Sequence, residues 1–127
     1  MDTFKWVMNV HKLNSGDAMI LTPEQVIRMA CRNGAYAFGQ PDEIGCLEPG
    51  RKADVIIVDL ADPRMTMPSL SVPSLLVNFA KSSDVATTIV DGKILMRDKE
   101  ILVLDEEQLL KEFRKNRAAL LKRVGVH

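Results

Sequence analysis

Two histidines, two cysteines and seventeen carboxylates are the side chains of this 127-residue sequence with the types to do acid–base, nucleophilic or metal chemistry. A catalytic metal needs several of them clustered. The histidines are His11 and the terminal His127, and neither an H-x-H nor an H-E-x-x-H pattern occurs. His11 has no ligand partner near it in sequence and reads as a partly buried packing histidine. His127 reads as part of a tail and takes no role. Cys31 lies inside a predicted helix and Cys46 in a predicted turn, outside any C-x-x-C pair and without a nearby histidine. Both are expected to be reduced thiols of a cytosolic protein. Asp42, Glu43, Glu48, Asp54, Asp59 and Asp62 fall at turns and strand ends, where carboxylates are commonly solvated rather than paired for proton transfer.

The remaining motifs also read as structure. Gly45-Cys-Leu-Glu-Pro-Gly50 has two glycines, but neither Gly-Lys-Ser/Thr nor a helix follows, which excludes a phosphate loop. Lys111, Arg114, Lys115, Arg117, Lys122 and Arg123 alternate with acids and leucines and read as the wet face of a last helix. Met65 and Met67 read as gap-fillers. From the residues alone, no position receives a catalytic, cofactor-binding or metal role.

The elements that would position any such group form a single-domain pattern. Seventeen basic and seventeen acidic side chains cancel, which argues against a nucleic-acid binder. No apolar run approaches the roughly 18 to 20 residues of a membrane helix, and the first residues lack the features of a secretory signal. A soluble, cytoplasmic, globular chain is therefore expected. Asp2 to Leu13 places Phe4, Val7, Met8 and His11 at helical spacing, with Trp6, Val10 and Leu13 widening the stripe. Asn14 to Asp17 reads as a loop. Thr22-Pro23-Glu24-Gln25 has the form of a capping box with proline at the first helical position. The helix it starts should be interrupted at Asn33-Gly34, with a short second helix over Ala35–Phe38 stopped by Gly39. Turns fill Gln40 to Lys52.

Val55 to Val58 is a continuous β-branched run and predicts a strand buried on both faces. Asp62 to Pro73 reads as an extended connection, and Leu75 to Ala80 as a short helix or strand that periodicity cannot decide. Val85–Val90, Asp91-Gly92 and Lys93–Met96 spell a β-hairpin with a type I′ turn. Arg97-Asp98-Lys99 turns again into a third strand, Glu100 to Leu104. Asp105 and Gln108 open a last helix whose inner face would be Leu109, Leu110, Phe113, Leu120 and Leu121. The fold class is α+β: helices first, then a small, mostly antiparallel sheet, then a closing helix.

Four segments in order resemble a known family. Thr22-Pro-Glu-Gln-Val-Ile-Arg-Met-Ala-Cys-Arg-Asn-Gly-Ala-Tyr-Ala-Phe-Gly39 resembles the "T-x-E-x-x-x-M-A-T-x-N-G-A-x-A-L-G" stretch of amidohydrolases, with Cys31 where the pattern usually has Thr. Ile44-Gly-Cys-Leu-Glu-Pro-Gly-Arg-Lys-Ala-Asp-Val-Ile-Ile-Val-Asp59 is similar to "I-G-S-L-E-x-G-K-x-A-D-L-V-V-x-D". Ser83-Asp-Val with Thr88-Ile-Val-Asp-Gly-Lys93 is similar to "S-D-V-x-x-V-I-V-D-G-K". Asp2-Thr-Phe with His11-Lys12 resembles the segment after the last barrel strand in the chlorohydrolase, cytosine deaminase and S-adenosylhomocysteine deaminase branch.

The resemblance implies a (β/α)8 barrel enzyme with a smaller β-sandwich built from both chain ends. It divides the chain into residues 1–39, the helical end of the barrel domain; 40–104, the C-terminal part of the sandwich; and 105–127, a C-terminal helix. The family's H-x-H, two further histidines and metal-binding aspartate all lie upstream of the segment matched by Asp2. A barrel alone takes about 250 residues, so no catalytic or metal role passes to any position here. The implied parent is a hydrolase that uses a divalent metal, zinc or iron, to activate water against a C–N or C–Cl bond of a purine, pyrimidine or triazine-like ring. This chain by itself would be inert and hold no cofactor. The alternative is a stand-alone, non-catalytic self-association module. In either case the surface that would face a barrel predicts a homo-oligomer, most simply a two-fold dimer joined through the N-terminal helices or sheet edges.

Overall fold

The computed structural model describes residues 2–125. Helix α1 runs Asp2–Ser15, one turn's fraction beyond the expected end, with Gly16 in left-handed conformation after it. Helix α2 (Pro23–Arg28) starts as its sequence requires. The Thr22 side chain accepts from the Gln25 N–H, and the Gln25 side chain accepts from the Thr22 N–H. Asn33-Gly34 does not interrupt the helix. The chain passes through a π-helical turn, Met29–Asn33, directly into α3 (Gly34–Ala37). Gly34 keeps an ordinary helical backbone here, φ −58°, so its freedom to break the helix goes unused. Gly39, at φ 70°, is where the helical path ends.

Two small cores follow from this arrangement. Met8 of α1, Val26 of α2 and Val77 are buried together, with Phe4, Leu21 and Ile27 against them. Met65, Leu75 and Ala80 form the second, with Leu60, Leu76 and Phe79. Both rely on α4 (Val72–Asn78), which settles the ambiguous Leu75–Ala80 segment as helix as far as Asn78, with Phe79 as its C-cap. Ser71 caps it by accepting from the Ser74 N–H, and proline sits in its first turn. The connection before it is not wholly extended, because Pro63–Met65 forms a 3-10 turn capped by Asp62.

The sheet is a four-stranded antiparallel meander in the order β1-β2-β3-β4, formed by Val55–Val58, Val85–Val90, Lys93–Arg97 and Glu100–Ile101. Asp91 and Gly92 have φ of 49° and 75°, both positive as a type I′ turn demands. The Asp98-Lys99 turn repeats that geometry without a glycine, at φ 51° and 69°. The last strand is only two residues long, shorter than Glu100 to Leu104. The strand β1 is also not buried on both faces. It lies at the sheet edge, with Ile56 and Ile57 about half exposed on opposite sides. A continuous apolar run signals burial, but which atoms provide that burial lies outside the run. Helix α5 (Glu106–Arg123) is capped by Asp105, which accepts from the Gln108 N–H. Of the expected inner face, Leu109, Leu110, Phe113 and Leu120 are exposed and Leu121 is partly covered, and no residue of α5 is buried.

Candidate functional site

The side chains with reactive potential are dispersed by the fold. His11 lies exposed on α1, not partly buried, because that helix turns only Met8 fully inward. His127 lies outside the described residues. Cys31, in the π-helical turn, is exposed, and Cys46 is half-buried; both are free thiols. They line one open cleft of about 380 Å³ with Ala35, Phe38, Ile44 and Asp54. Gly45 forms the floor where the loop passes the helix. A Cβ there would stand 2.8 Å from the Cys31 carbonyl oxygen and 2.9 Å from the Ala35 Cβ. Among the described residues no three His, Cys, Asp or Glu side chains converge to hold a metal ion.

Carboxylates that sequence reading left solvated are in fact used as ties. Glu48 accepts from Arg32 at 2.8 Å and from Arg51 at 2.9 Å, joining the π-helical turn to the loop before β1. The Arg51 hydrogen bond and charge hold the Glu48 carboxyl below its ordinary range. Lys52 pairs with Glu43, which raises the ammonium's pKa. Asp54 accepts from the Asp91 N–H at 2.7 Å, fastening the hairpin turn to the start of β1.

The densest polar constellation joins Asp62, one of the turn carboxylates, to two residues that the sequence does not single out, Arg64 and Asp84. Arg64 donates from Nε and Nη2 to the two oxygens of Asp62, both at 2.8 Å, and from Nη2 to Asp84 at 3.1 Å. Its Nη1 reaches the Phe79 carbonyl at 3.3 Å. Asp84 is buried and also accepts from the Lys81 N–H at 2.8 Å. The bidentate Arg64 side chain and the Arg64 N–H hold the Asp62 carboxyl down at about 2. Asp84 is lowered first by the Lys81 N–H, against the opposing effect of burial, and then by Arg64. Arg64 is raised correspondingly by Asp62. Every charge here has an opposite partner and every buried polar side-chain atom among the described residues is satisfied. The cluster is a clamp between the segment after β1, the end of α4 and the start of β2. Asp62-Pro63-Arg64 signals a local cap, but no sequence pattern announces the contact to Asp84, twenty residues on.

These contacts hold backbone segments in place, and the chain's kinship shows in its similarity to known proteins. The chain is 49% identical over 116 residues to a 5′-deoxyadenosine deaminase of Methanosarcina mazei, an alignment covering 91% of this chain and 26% of that protein. It is 40% identical over 112 residues to a 5-methylthioadenosine/S-adenosylhomocysteine deaminase of Syntrophomonas wolfei, covering 88% and 26%. In structure it resembles an adenosine deaminase from Xanthomonas campestris with bound zinc, at a TM-score of 0.86 and 28% identity, over 94% of this chain and 27% of that one. The chain thus spans about a quarter of the length of the relatives it matches. The model of the amidohydrolase family matches residues 1–95, and the chain belongs to that family.

Proposed function

We propose that this chain is the C-terminal share of a hydrolytic deaminase that exchanges an amino group on a purine nucleoside for oxygen, releasing ammonia. The observation that carries the reading is the 49% identity to a 5′-deoxyadenosine deaminase over nearly the whole chain. The coverage of about a quarter supports reading the chain as a share of a longer protein. Within that reading, residues 1–39 would lie beside the barrel, 40–104 in the small β-domain, and 105–127 would form a closing helix. A divalent metal belongs to the proposed whole enzyme. The residues present here do not fit one, since the described donors do not converge, and no chemical step is assigned to them. Their contribution is a capped, cross-tied platform. Among the described residues no helix is long and apolar enough to cross a membrane, which is compatible with a cytoplasmic enzyme.

The test is the coding sequence upstream of Met1, followed by an ammonia-release assay of the continuous frame on 5′-deoxyadenosine. The expected result is an in-frame H-x-H segment, turnover by the continuous protein and none by the 127-residue chain. Turnover by the short chain alone would overturn the reading. One observation favours a second reading, self-association of the chain as a non-catalytic module. Trp6, Val10 and Leu13 of α1 are exposed, as is the apolar edge strand β1. A dimer through those surfaces would leave sedimentation of the short chain concentration-dependent.

A further inference from the structure

Helix α5 has eighteen residues and none is buried. Spacings of three and four residues place Glu106, Leu110, Phe113, Arg117, Leu120 and Val124 along one ridge, the seam pattern of two packed helices. Leu110, Phe113, Leu120 and Val124 are each more than half exposed. A seam of this kind is stable only when covered, and its two polar members state what should cover it. Glu106 and Arg117 have opposite charge and stand eleven residues apart, about three helical turns.

We propose that α5 docks antiparallel on α5 of a second copy of this chain, with the two-fold axis between Leu110 and Phe113. In that register Leu110 of each copy meets Phe113 of the other, and Glu106 of each meets Arg117 of the other. Glu107 and Arg114, which share one flank of the ridge, are brought to neighbouring levels on the two copies, because an antiparallel pair sets like flanks side by side. Leu120 and Leu121 then extend past the partner's helix start to its Leu102 and Val103, which are otherwise about half exposed before the Asp105 cap. A parallel pair would set Glu106 against Glu106 and Arg117 against Arg117, so the same two residues that favour one arrangement oppose the other. This surface is distinct from α1 and from the β1 edge.

The experiment is sedimentation equilibrium of the full 127-residue chain and three variants. The wild type is expected to dimerise in the micromolar range. Glu106→Arg and Arg117→Glu should each weaken association by about tenfold, since each sets like charges together on a desolvated seam. The double variant Glu106→Arg/Arg117→Glu should return to within about threefold of wild type. Helix fraying caused by a basic residue in the first turn would weaken both Glu106→Arg and the double variant, so rescue separates pairing from loss of helix. A monomeric wild type, single swaps that leave the dissociation constant unmoved, or a double variant as weak as its parents would each overturn the proposal. A dimer indifferent to all the swaps would reject α5 and leave self-association through α1 or β1 standing.

Discussion

Two glycines with nearly the same backbone show how far a residue's meaning depends on its surroundings. Gly45 and Gly92 have φ of 88° and 75°, a region that costs other residues strain. Around Gly92 an added Cβ meets nothing within 4 Å, whereas at Gly45 it meets the Cys31 carbonyl and the Ala35 Cβ below 3 Å. Gly45→Ala is therefore expected to cost about 1–3 kcal/mol more than Gly92→Ala, as the overlap with fixed backbone adds to the strain. Urea denaturation of the two variants checks the difference, and equal midpoints would contradict the close approach. The sequence shows both as turn glycines and cannot distinguish them, because the helix that crowds Gly45 arrives from a different segment.

The Asp62–Arg64 pair makes a second prediction at this scale. The Asp62 carboxyl titrates near its ordinary 3.8 when unfolded and at about 2 when folded. Between those values the unfolded chain binds more protons, so stability rises with pH across the window. The stabilisation from Asp62 is complete above the unfolded value and is lost as the pH falls through the folded one. Asp62→Asn should accordingly lower the urea midpoint at neutral pH, and the gap to wild type should close as the pH approaches about 2. A gap independent of pH would show that the pair contributes no charge-dependent stability.

Among the elements, those specified by local chemistry are legible and those specified by distant cover are not. The Thr22–Gln25 capping box, the Asp105 cap and the Asp91-Gly92 turn all form as their residues require. Each needs only groups within three residues of itself. The π-helical turn through Asn33-Gly34, the half-exposed β1 and the uncovered α5 are the failures. Their apolar residues promise burial without stating against what, and in the second and third cases the described chain does not supply it. The hairpin offers a direct check of the legible kind. Gly92→Val places a β-branched residue at positive φ and is expected to destabilise by about 1–3 kcal/mol. An unchanged urea midpoint would contradict the turn assignment. The Asp91 N–H bond to Asp54 means that this variant should also loosen β1, visible as faster amide exchange at Ile56 and Ile57.

At the scale of the molecule, family membership is written in turn glycines, caps and strand residues. Catalysis in the proposed whole enzyme would rest on ligands that the described residues do not assemble. Under that proposal, the quarter of the relatives that this chain matches would serve as scaffold, with the metal ligands held elsewhere in the whole enzyme. Elemental analysis of the untagged chain, equilibrated with zinc and then dialysed, tests this separation most directly. The account predicts zinc far below one ion per chain after dialysis. About one zinc per chain, held as tightly as a three- or four-ligand site holds it, would contradict it.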